Sequence, residues 1–233
     1  MKKILVIIPG ISDLKLIPVL KSNISKLKET VNEVSIHLYD YKNFNLDNIV
    51  TVDKIIQGDL NLYEVFIYYD NYVDNYDYIL ILLDDVYLNN FQLDYMINNH
   101  EKHNLDISSP SITLDSCWSH ANMKTRNENN IDILYSLELF CYLLKPNSYH
   151  LWTSIMDPEN GFGWFIDLNL YKILGLNLGL FHNLTVAHLI QRCDIYGHKA
   201  MEQAKEWYIK IGEKLGASQT WNNDIINTIN LDI

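Results

Sequence analysis

The stretch that decides the fold lies at residues 78–85 and reads Tyr78-Ile79-Leu80-Ile81-Leu82-Leu83-Asp84-Asp85, an apolar run that ends in two carboxylates. A short apolar run bounded by polar residues is typical of a strand buried on both faces of a parallel sheet. Ligands of open α/β sheets bind beyond the carboxyl ends of such strands, where Asp84 and Asp85 would stand. Two adjacent acids repel each other unless a cation or a proton lies between them. The stretch therefore indicates a divalent metal beside nucleotide phosphates or, in the structural alternative, a helix cap or a solvated turn.

Strands and helices alternate on both sides of this run, which is typical of an α/β fold. The apolar spacing predicts the following elements: strands Lys3 to Ile8, Val34 to Tyr39, Leu105 to Ser108 (ended by Pro110), Leu178 to Phe181 and Leu184 to Leu189, and helices Leu14 to Glu29, Asn61 to Tyr72, Phe91 to His103, Lys145 to Ile155, Leu168 to Leu174 and Gly197 to Leu215. We expect a Rossmann-like, mostly parallel central sheet flanked by helices. Residues 1–195 would form the main domain, and the C-terminal helix and tail, 196–233, would pack on it.

Composition excludes several classes of protein. The chain has 233 residues, 48% of them apolar, and a formal net charge of −11. It can bury a sizeable core, and a nucleic-acid backbone or an anionic membrane is a poor match for its charge. An anionic substrate would need a metal ion or helix N-termini close by. There is no apolar stretch of about 18 residues and no complete signal peptide, so we expect a cytoplasmic protein with reduced cysteines.

Two further positions follow strands of the first half of the predicted sheet. Pro9-Gly10 comes directly after the first strand, and Asp40 ends the second. A Pro-Gly turn would let a nucleotide approach the backbone closely, although it matches neither the dinucleotide nor the P-loop glycine pattern. The alternative is that Pro9 and Gly10 only form the turn.

The second half of the chain supplies an acid, two aromatic rings and a histidine. Phe162 and Trp164 alternate with glycines, an arrangement that presents flat rings to a sugar or a base. Asp167 follows them at the start of a predicted helix, where it is either a catalytic carboxylate or an N-cap. His188 lies near the end of an apolar strand, where a hydrogen-bonded core histidine is the structural alternative to a ligand.

The order of these motifs resembles a largely uncharacterised family of GT-A-type glycosyltransferases found in plants, bacteria and large DNA viruses. Its members have a Tyr-Asp-Tyr-Ile strand that leads into a short acidic motif, and this chain has that strand at 76–79 and Leu83-Asp84-Asp85-Val86 after it. The pattern continues through the segments 107–110, 137–140 and 163–168 and ends at Val186-Ala187-His188. The resemblance thus covers about residues 75–190.

The resemblance implies a nucleotide-sugar donor, a UDP-sugar by default, and a divalent metal, Mn²⁺ or Mg²⁺. Asp85 matches the metal-binding acid and His188 the histidine that completes the metal site. Asp84 would lie near the donor ribose or sugar, and Pro9, Gly10 and Asp40 near the base and ribose. Asp167 matches the general base of inverting members.

The same resemblance places Phe162 and Trp164 as an apolar platform for the acceptor, a glycan or glycoprotein. The chain departs from the family at Leu83, which replaces the first acid of the motif.

Three functions follow from these patterns. The first is a metal-dependent glycosyltransferase that moves a sugar to a glycan or other hydroxyl acceptor. The second is a GT-A-like module that binds a nucleotide or glycan without turnover, which Leu83 favours. The third is a nucleotidyltransferase, which uses similar carboxylates but also a Gly-rich, basic first loop that this chain lacks. A glycosyltransferase of this kind would find its acceptor in the cytoplasm, or in a viral factory if the chain is viral.

Overall fold

The computed structural model describes residues 1–117, 120–161, 165, 167–168, 170–190, 193–218 and 220–231. These residues build one ten-stranded mixed sheet with helices packed against it. The predicted α/β fold, with a central sheet flanked by helices, is confirmed. Within the described ranges, no helix is both long and apolar enough to cross a membrane.

The first half of the sheet is parallel. Its strands are β1 (Lys3–Ile8), β2 (Glu33–Asp40), β3 (Lys54–Gln57) and β4 (Tyr78–Leu82), in the spatial order β3-β2-β1-β4. Every residue of β4 is buried, as are Ile4 to Ile8 of β1, because neighbouring strands and the helices cover them. The parallel order brings the ends of β2, β1 and β4 to one edge of the sheet, and this edge carries Asp40, Gly10 and Asp84.

The second half of the sheet mixes directions. Its strands are β5 (Val86–Asn90), β6 (Ile107–Ile112), β7 (Asn130–Leu134), β8 (Cys141–Leu144), β9 (Leu178–His188) and β10 (Ile225–Asn230). The order continues from β4 as β8-β6-β9-β7-β10, with β6 and β9 parallel and the other neighbours antiparallel. Strand β5 lies off this path and pairs antiparallel with the end of β9.

The helices lie at the predicted positions, with the largest difference at the C-terminal helix, which was predicted from Gly197 to Leu215 but begins at Cys193 and ends as an α-helix at Trp207. They are α1 (Ile17–Leu27), α2 (Leu62–Tyr69), α3 (Leu93–Lys102), α4 (Pro146–Thr153), α5 (Leu170–Leu174) and α6 (Cys193–Trp207). Helix α2 begins with a capping box, in which Asn61 accepts from the backbone of Glu64 and Glu64 accepts from the backbone of Asn61. Helix α6 continues into a π-helical turn, Tyr208–Gly212.

Two strand predictions are wrong in detail. Pro110 does not end β6, which continues to Ile112. The pairing with β8 stops at Ser108 and the ladder with β9 shifts register directly after Pro110, an irregularity of the kind at which sheets accept proline. The two short strands predicted between Leu178 and Leu189 are one strand, β9. The polar residues at 182–183 indicated a break, but His182 is buried within the sheet.

Candidate active site

The candidate site forms where the loop after β4 meets the end of β9. Val86 of β5 pairs with His188 of β9, and the backbone N–H of Leu189 donates to the carbonyl of Asp85 at 2.8 Å. This register places Asp85 beside His188, which is 103 positions later in the chain. The Asp85 Oδ2 and His188 Nε2 atoms lie 3.5 Å apart, and Asp85 is only 2% exposed.

The loop after β6 holds His188 from the other side. The Ser116 hydroxyl accepts from the backbone N–H of His188 at 3.1 Å, and the Cys117 N–H donates to its carbonyl at 3.0 Å. The Phe140 ring stacks on the imidazole with ring centroids 6.4 Å apart. Hydrogen bonds to the His188 backbone and the Phe140 ring against the imidazole therefore position this side chain, while Nε2 points toward Asp85.

Asp85 and His188 fit a divalent cation in residue type and spacing. A carboxylate oxygen is an ordinary ligand of Mn²⁺, and an imidazole nitrogen is the commonest side-chain ligand of metal ions in general. Adjacent ligands of an octahedral ion with bonds of about 2.1 Å lie about 3 Å apart, close to the observed separation. Among the described residues, no group of three or more His, Cys, Asp or Glu side chains could hold a metal, so water and substrate oxygens would complete the coordination.

Asp84 has different surroundings from its neighbour. Its Oδ2 atom accepts two hydrogen bonds from Ser12, one from the backbone N–H and one from the hydroxyl, each at 2.6 Å. Ser12 lies in the loop after β1, which also contains Pro9 and Gly10. Asp84 thus joins the acidic loop to the loop that was predicted to meet the nucleotide.

Asp40 stands out because of its burial. It ends β2, is 0% exposed, and neither carboxylate oxygen has a hydrogen-bond partner in the part of the chain that the structure describes. A buried polar group without a partner is costly and calls for an explanation. At this edge of the sheet, a hydrogen-bond donor from a ligand would satisfy it.

Packing against Tyr41 explains why position 10 is a glycine. A Cβ atom added at Gly10 would lie 2.6 Å from the Tyr41 ring, which occupies the space beside the turn. Glycine at this position therefore lets the loops after β1 and β2 pack closely. Close packing of Tyr41 accounts for the glycine without a ligand, and approach of a nucleotide remains a hypothesis.

Asp167 lies at the end of a turn, ahead of α5. Burial raises the pKa of its carboxyl to about 7, with a further contribution from the negative charge of Glu138. Hydrogen bonds from the backbone N–H groups of Asp167 and Leu139 act in the opposite direction. Phe140, adjacent to Leu139, is the residue whose ring stacks on His188, so the segment 138–140 connects Asp167 with the Asp85–His188 pair.

The backbone before Asp167 is strained. Phe165 has φ of 76°, a left-handed conformation that is rare for a bulky side chain. Its carbonyl accepts from the Leu168 N–H at 3.1 Å, which closes a turn around Asp167. Such strain persists where surrounding packing fixes the backbone, and it clusters at functional sites.

The structure thus brings together some of the predicted residues and leaves others aside. Asp85 and His188 are adjacent, and Asp84, Pro9 and Gly10 lie at the same edge of the sheet. Phe162 and Trp164, predicted to contact the acceptor, lie outside the described residues.

Sequence reasoning missed four residues, and each acts on a site residue that is distant in the chain. They are Ser12, Ser116, Glu138 and Phe140. For Glu138, the interruption of an apolar run was the only local signal.

The fold is similar to that of solved glycosyltransferase structures. GalNAc-T7, solved with UDP, GalNAc and Mn²⁺, superposes with a TM-score of 0.60 at 11% identity, over 82% of this chain and 44% of that chain. S. aureus TarS 1-349, solved in complex with UDP, gives a TM-score of 0.55 at 10% identity, over 91% of this chain and 66% of that chain.

The fold is GT-A-like. The chain spans less than two thirds of the length of either of these proteins. No family model matches the sequence, and no curated protein matches it.

Proposed function

We propose that this chain is a metal-dependent glycosyltransferase that moves a sugar from a nucleotide-diphosphate donor to a hydroxyl acceptor. The observation that carries the proposal is the meeting of Asp85 and His188, 3.5 Å apart, at the carboxyl edge of a GT-A-like sheet. A carboxylate and an imidazole from distant parts of the chain, placed together in a nearly buried position, suit a cation better than they suit packing. Their role as ligands is part of the proposal.

Asp85 and His188 would hold a divalent ion, Mn²⁺ or Mg²⁺. When bound, the ion supplies positive charge that stabilises the departing diphosphate. The chain needs such help because its formal net charge of −11 offers little attraction for an anionic donor. Asp85 is 2% exposed, and removal from water strengthens its interaction with a cation.

Asp40, Pro9 and Gly10 would form the nucleotide side of the site, together with Asp84. The buried Asp40 carboxylate would accept a hydrogen bond from a base N–H or a ribose hydroxyl. UDP is the first donor nucleotide to test, because GalNAc-T7 and TarS were each solved with UDP. Pro9 and Gly10 would allow the ribose and diphosphate to approach the backbone.

Asp167 would act as the general base of an inverting transfer. In that reaction a carboxylate removes the proton of the acceptor hydroxyl while the oxygen attacks the anomeric carbon. A carboxyl whose pKa lies at about 7 is well suited to accept a proton at neutral pH. Phe162 and Trp164 would provide the acceptor platform for a glycan or glycoprotein.

A non-catalytic binding module is the second candidate. Leu83 stands where the resembled family has an acid. Its backbone N–H donates to the Phe140 carbonyl at 3.0 Å, so Leu83 contributes to the structure of the loop. A site with one carboxylate and one imidazole would still bind a nucleotide with metal. Such a module would bind the nucleotide but would not catalyse transfer of its sugar.

Calorimetry and a donor-turnover assay together test the proposal. Mn²⁺ and UDP should bind the wild-type protein, and Asp85→Asn and His188→Ala should each weaken Mn²⁺ binding at least about 10- to 100-fold. The matched controls are Asp47→Asn and His198→Ala, since both residues are exposed on the surface. Turnover of a sugar nucleotide in a panel of donors supports the enzyme, and binding without turnover across the panel supports the module. Unchanged Mn²⁺ binding in both site variants would contradict the proposal.

A further inference from the structure

Ser12 connects the two loops on which the proposed donor site depends. It follows β1 by four positions, and Asp84 follows β4 by two, and these two strands are neighbours in the sheet. The backbone N–H and the hydroxyl of Ser12 both donate to Asp84 Oδ2 at 2.6 Å. Hydrogen bonds to a carboxylate are roughly twice as strong as neutral ones, so this contact fixes both loops.

A third loop fixes Ser12 from its other side. The ammonium group of Lys42, in the loop after β2, donates to the Ser12 carbonyl at 2.8 Å. Its neighbour Tyr41 packs its ring against Gly10. The loops after β2, β1 and β4 are therefore linked in series, with Ser12 in the middle.

The same contact explains how two adjacent acids coexist. Ser12 donors stabilise the charge of Asp84, while Asp85 faces the imidazole of His188 across 3.5 Å. The two carboxylates are thereby directed to different partners, which reduces their mutual repulsion.

We propose that Ser12 is a positioning residue of the donor site, which acts by holding Asp84 and so sets the place of the Pro9-Gly10 turn relative to Asp85. This inference rests on the proposed function, since it assigns Ser12 a part in binding the nucleotide diphosphate. Ser12 then contributes to donor binding through Asp84.

A double-mutant cycle tests the inference. UDP affinity in the presence of Mn²⁺ is measured by calorimetry for wild type, Ser12→Ala, Asp84→Ala and the double variant. Each single change should weaken UDP binding about tenfold, the size expected for losing a hydrogen bond to a charged group. The double variant should be no weaker than the weaker single variant, because both changes remove one interaction. Ser12→Thr keeps the hydroxyl and should restore binding, and Ser25→Ala, an exposed serine of α1, is the matched control.

Losses that multiply in the double variant would overturn the inference, because Asp84 and Ser12 would then act separately. The proposed function would stand in that case, since UDP and Mn²⁺ still bind the wild type.

Hydrogen exchange measured without any ligand further distinguishes a failure of the Ser12 inference from a failure of the proposed function. Amide hydrogen exchange at Ser12 should become faster in Asp84→Ala than in wild type, because its N–H loses its acceptor. Unchanged exchange would overturn the inference whatever the outcome with UDP. If exchange changes as expected and the wild type binds neither Mn²⁺ nor UDP, the proposed function fails and the donor-site role of Ser12 fails with it.

Discussion

At the residue scale, the structure separates three carboxylates that the sequence presents alike. Asp84 is hydrogen-bonded by Ser12, Asp85 faces His188, and Asp167 is held with a raised pKa near Glu138. The sequence indicated all three as candidates, because each follows an apolar run or starts a helix. Their different surroundings depend on residues at least 28 positions away, so local pattern alone did not distinguish them.

The raised pKa of Asp167 gives a pH prediction for the proposed transfer. The carboxyl must lose its proton before it can accept one, so the rate should rise with pH and level off above about 7. Asp167→Asn should lower the rate by about 10²- to 10⁴-fold and leave UDP binding nearly unchanged. Initial rates between pH 5 and 9, with the acceptor in excess, measure the pH profile and the loss of rate in Asp167→Asn. Calorimetry measures UDP binding by the variant. A wild-type profile that is flat through neutral pH would rule out this base.

His150 gives a second pH prediction, which concerns stability. Its Nδ1 atom lies 2.8 Å from Asp70 and its Nε2 atom 2.9 Å from Asp74. Carboxylates only accept, so the imidazole donates to both of them only in its protonated form. The hydrogen bonds to Asp74 and Asp70 therefore raise the imidazole pKa above its ordinary value of 6.5, although partial burial acts in the opposite direction.

The folded pKa is therefore higher than the unfolded one. The stabilisation is complete below pH 6.5 and is lost as pH rises through the raised value. The melting temperature of wild type should fall over that range more than that of His150→Gln. Equal pH dependence in the two proteins would contradict this role.

At the scale of elements, β9 organises the second half of the molecule. Residues 178–181 of β9 pair with both β6 and β7, and residues 185–188 pair with β5. The end of β9 thereby brings His188 to the acidic loop. The sequence predicted β6 and the position of β9, which it split in two, but it did not predict β5, β7 or β8. Strand β5 has five residues, three of them exposed, so its apolar signal is weak, and its partner is about a hundred positions away.

Asp132 links three neighbouring strands and gives a prediction at this scale. On β7, it accepts from Thr228 of β10 at 2.8 Å and lies 3.0 Å from His182 Nε2 of β9. Arg126 also donates to it, at 2.7 Å. The backbone N–H of Arg126 donates to His182 Nδ1, so Nε2 carries the proton and donates to Asp132.

Burial alone would raise the pKa of Asp132, but hydrogen bonds from His182 and Thr228 and the charge of Arg126 bring it below 3.8. Asp132→Ala should lower the free energy of unfolding by about 3–5 kcal/mol, because buried partners lose their acceptor. Urea denaturation measures the change, with Asp47→Ala as the exposed control. A loss of less than about 1 kcal/mol would show that these contacts contribute little.

At the scale of the whole molecule, the C-terminal segment is integrated with the main domain through packing and through the sheet. Trp207 of α6 is 1% exposed and its indole N–H donates to the Ile155 carbonyl at 2.7 Å. Strand β10 then pairs with β7 along the edge of the sheet. The amphipathic pattern predicted the helix, but the polar tail gave no signal for a strand, because its side chains are mostly exposed and the pairing is made by the backbone.

This integration predicts a single unfolding transition. Far-UV circular dichroism and tryptophan fluorescence should give the same urea midpoint, as expected for one cooperative unit. Trp207→Ala should lower that midpoint, with a loss of about 3–5 kcal/mol, while Trp207→Phe should lose less because it keeps most of the apolar contact. Two separate midpoints would show that residues 196–233 unfold independently of residues 1–195.

The left-handed backbone of Phe165 has a consequence for how the protein responds to heat. Its conformation, φ of 76°, costs about 1–3 kcal/mol and is maintained by packing around it. Local segments open at a lower free energy than the whole fold, so this turn should relax to an ordinary conformation at a lower temperature than the sheet and carry Asp167 out of place. The proposed transfer would then cease at a temperature at which the fold is still intact. The thermal optimum of the reaction would therefore report on one turn, and the melting temperature would report on the sheet.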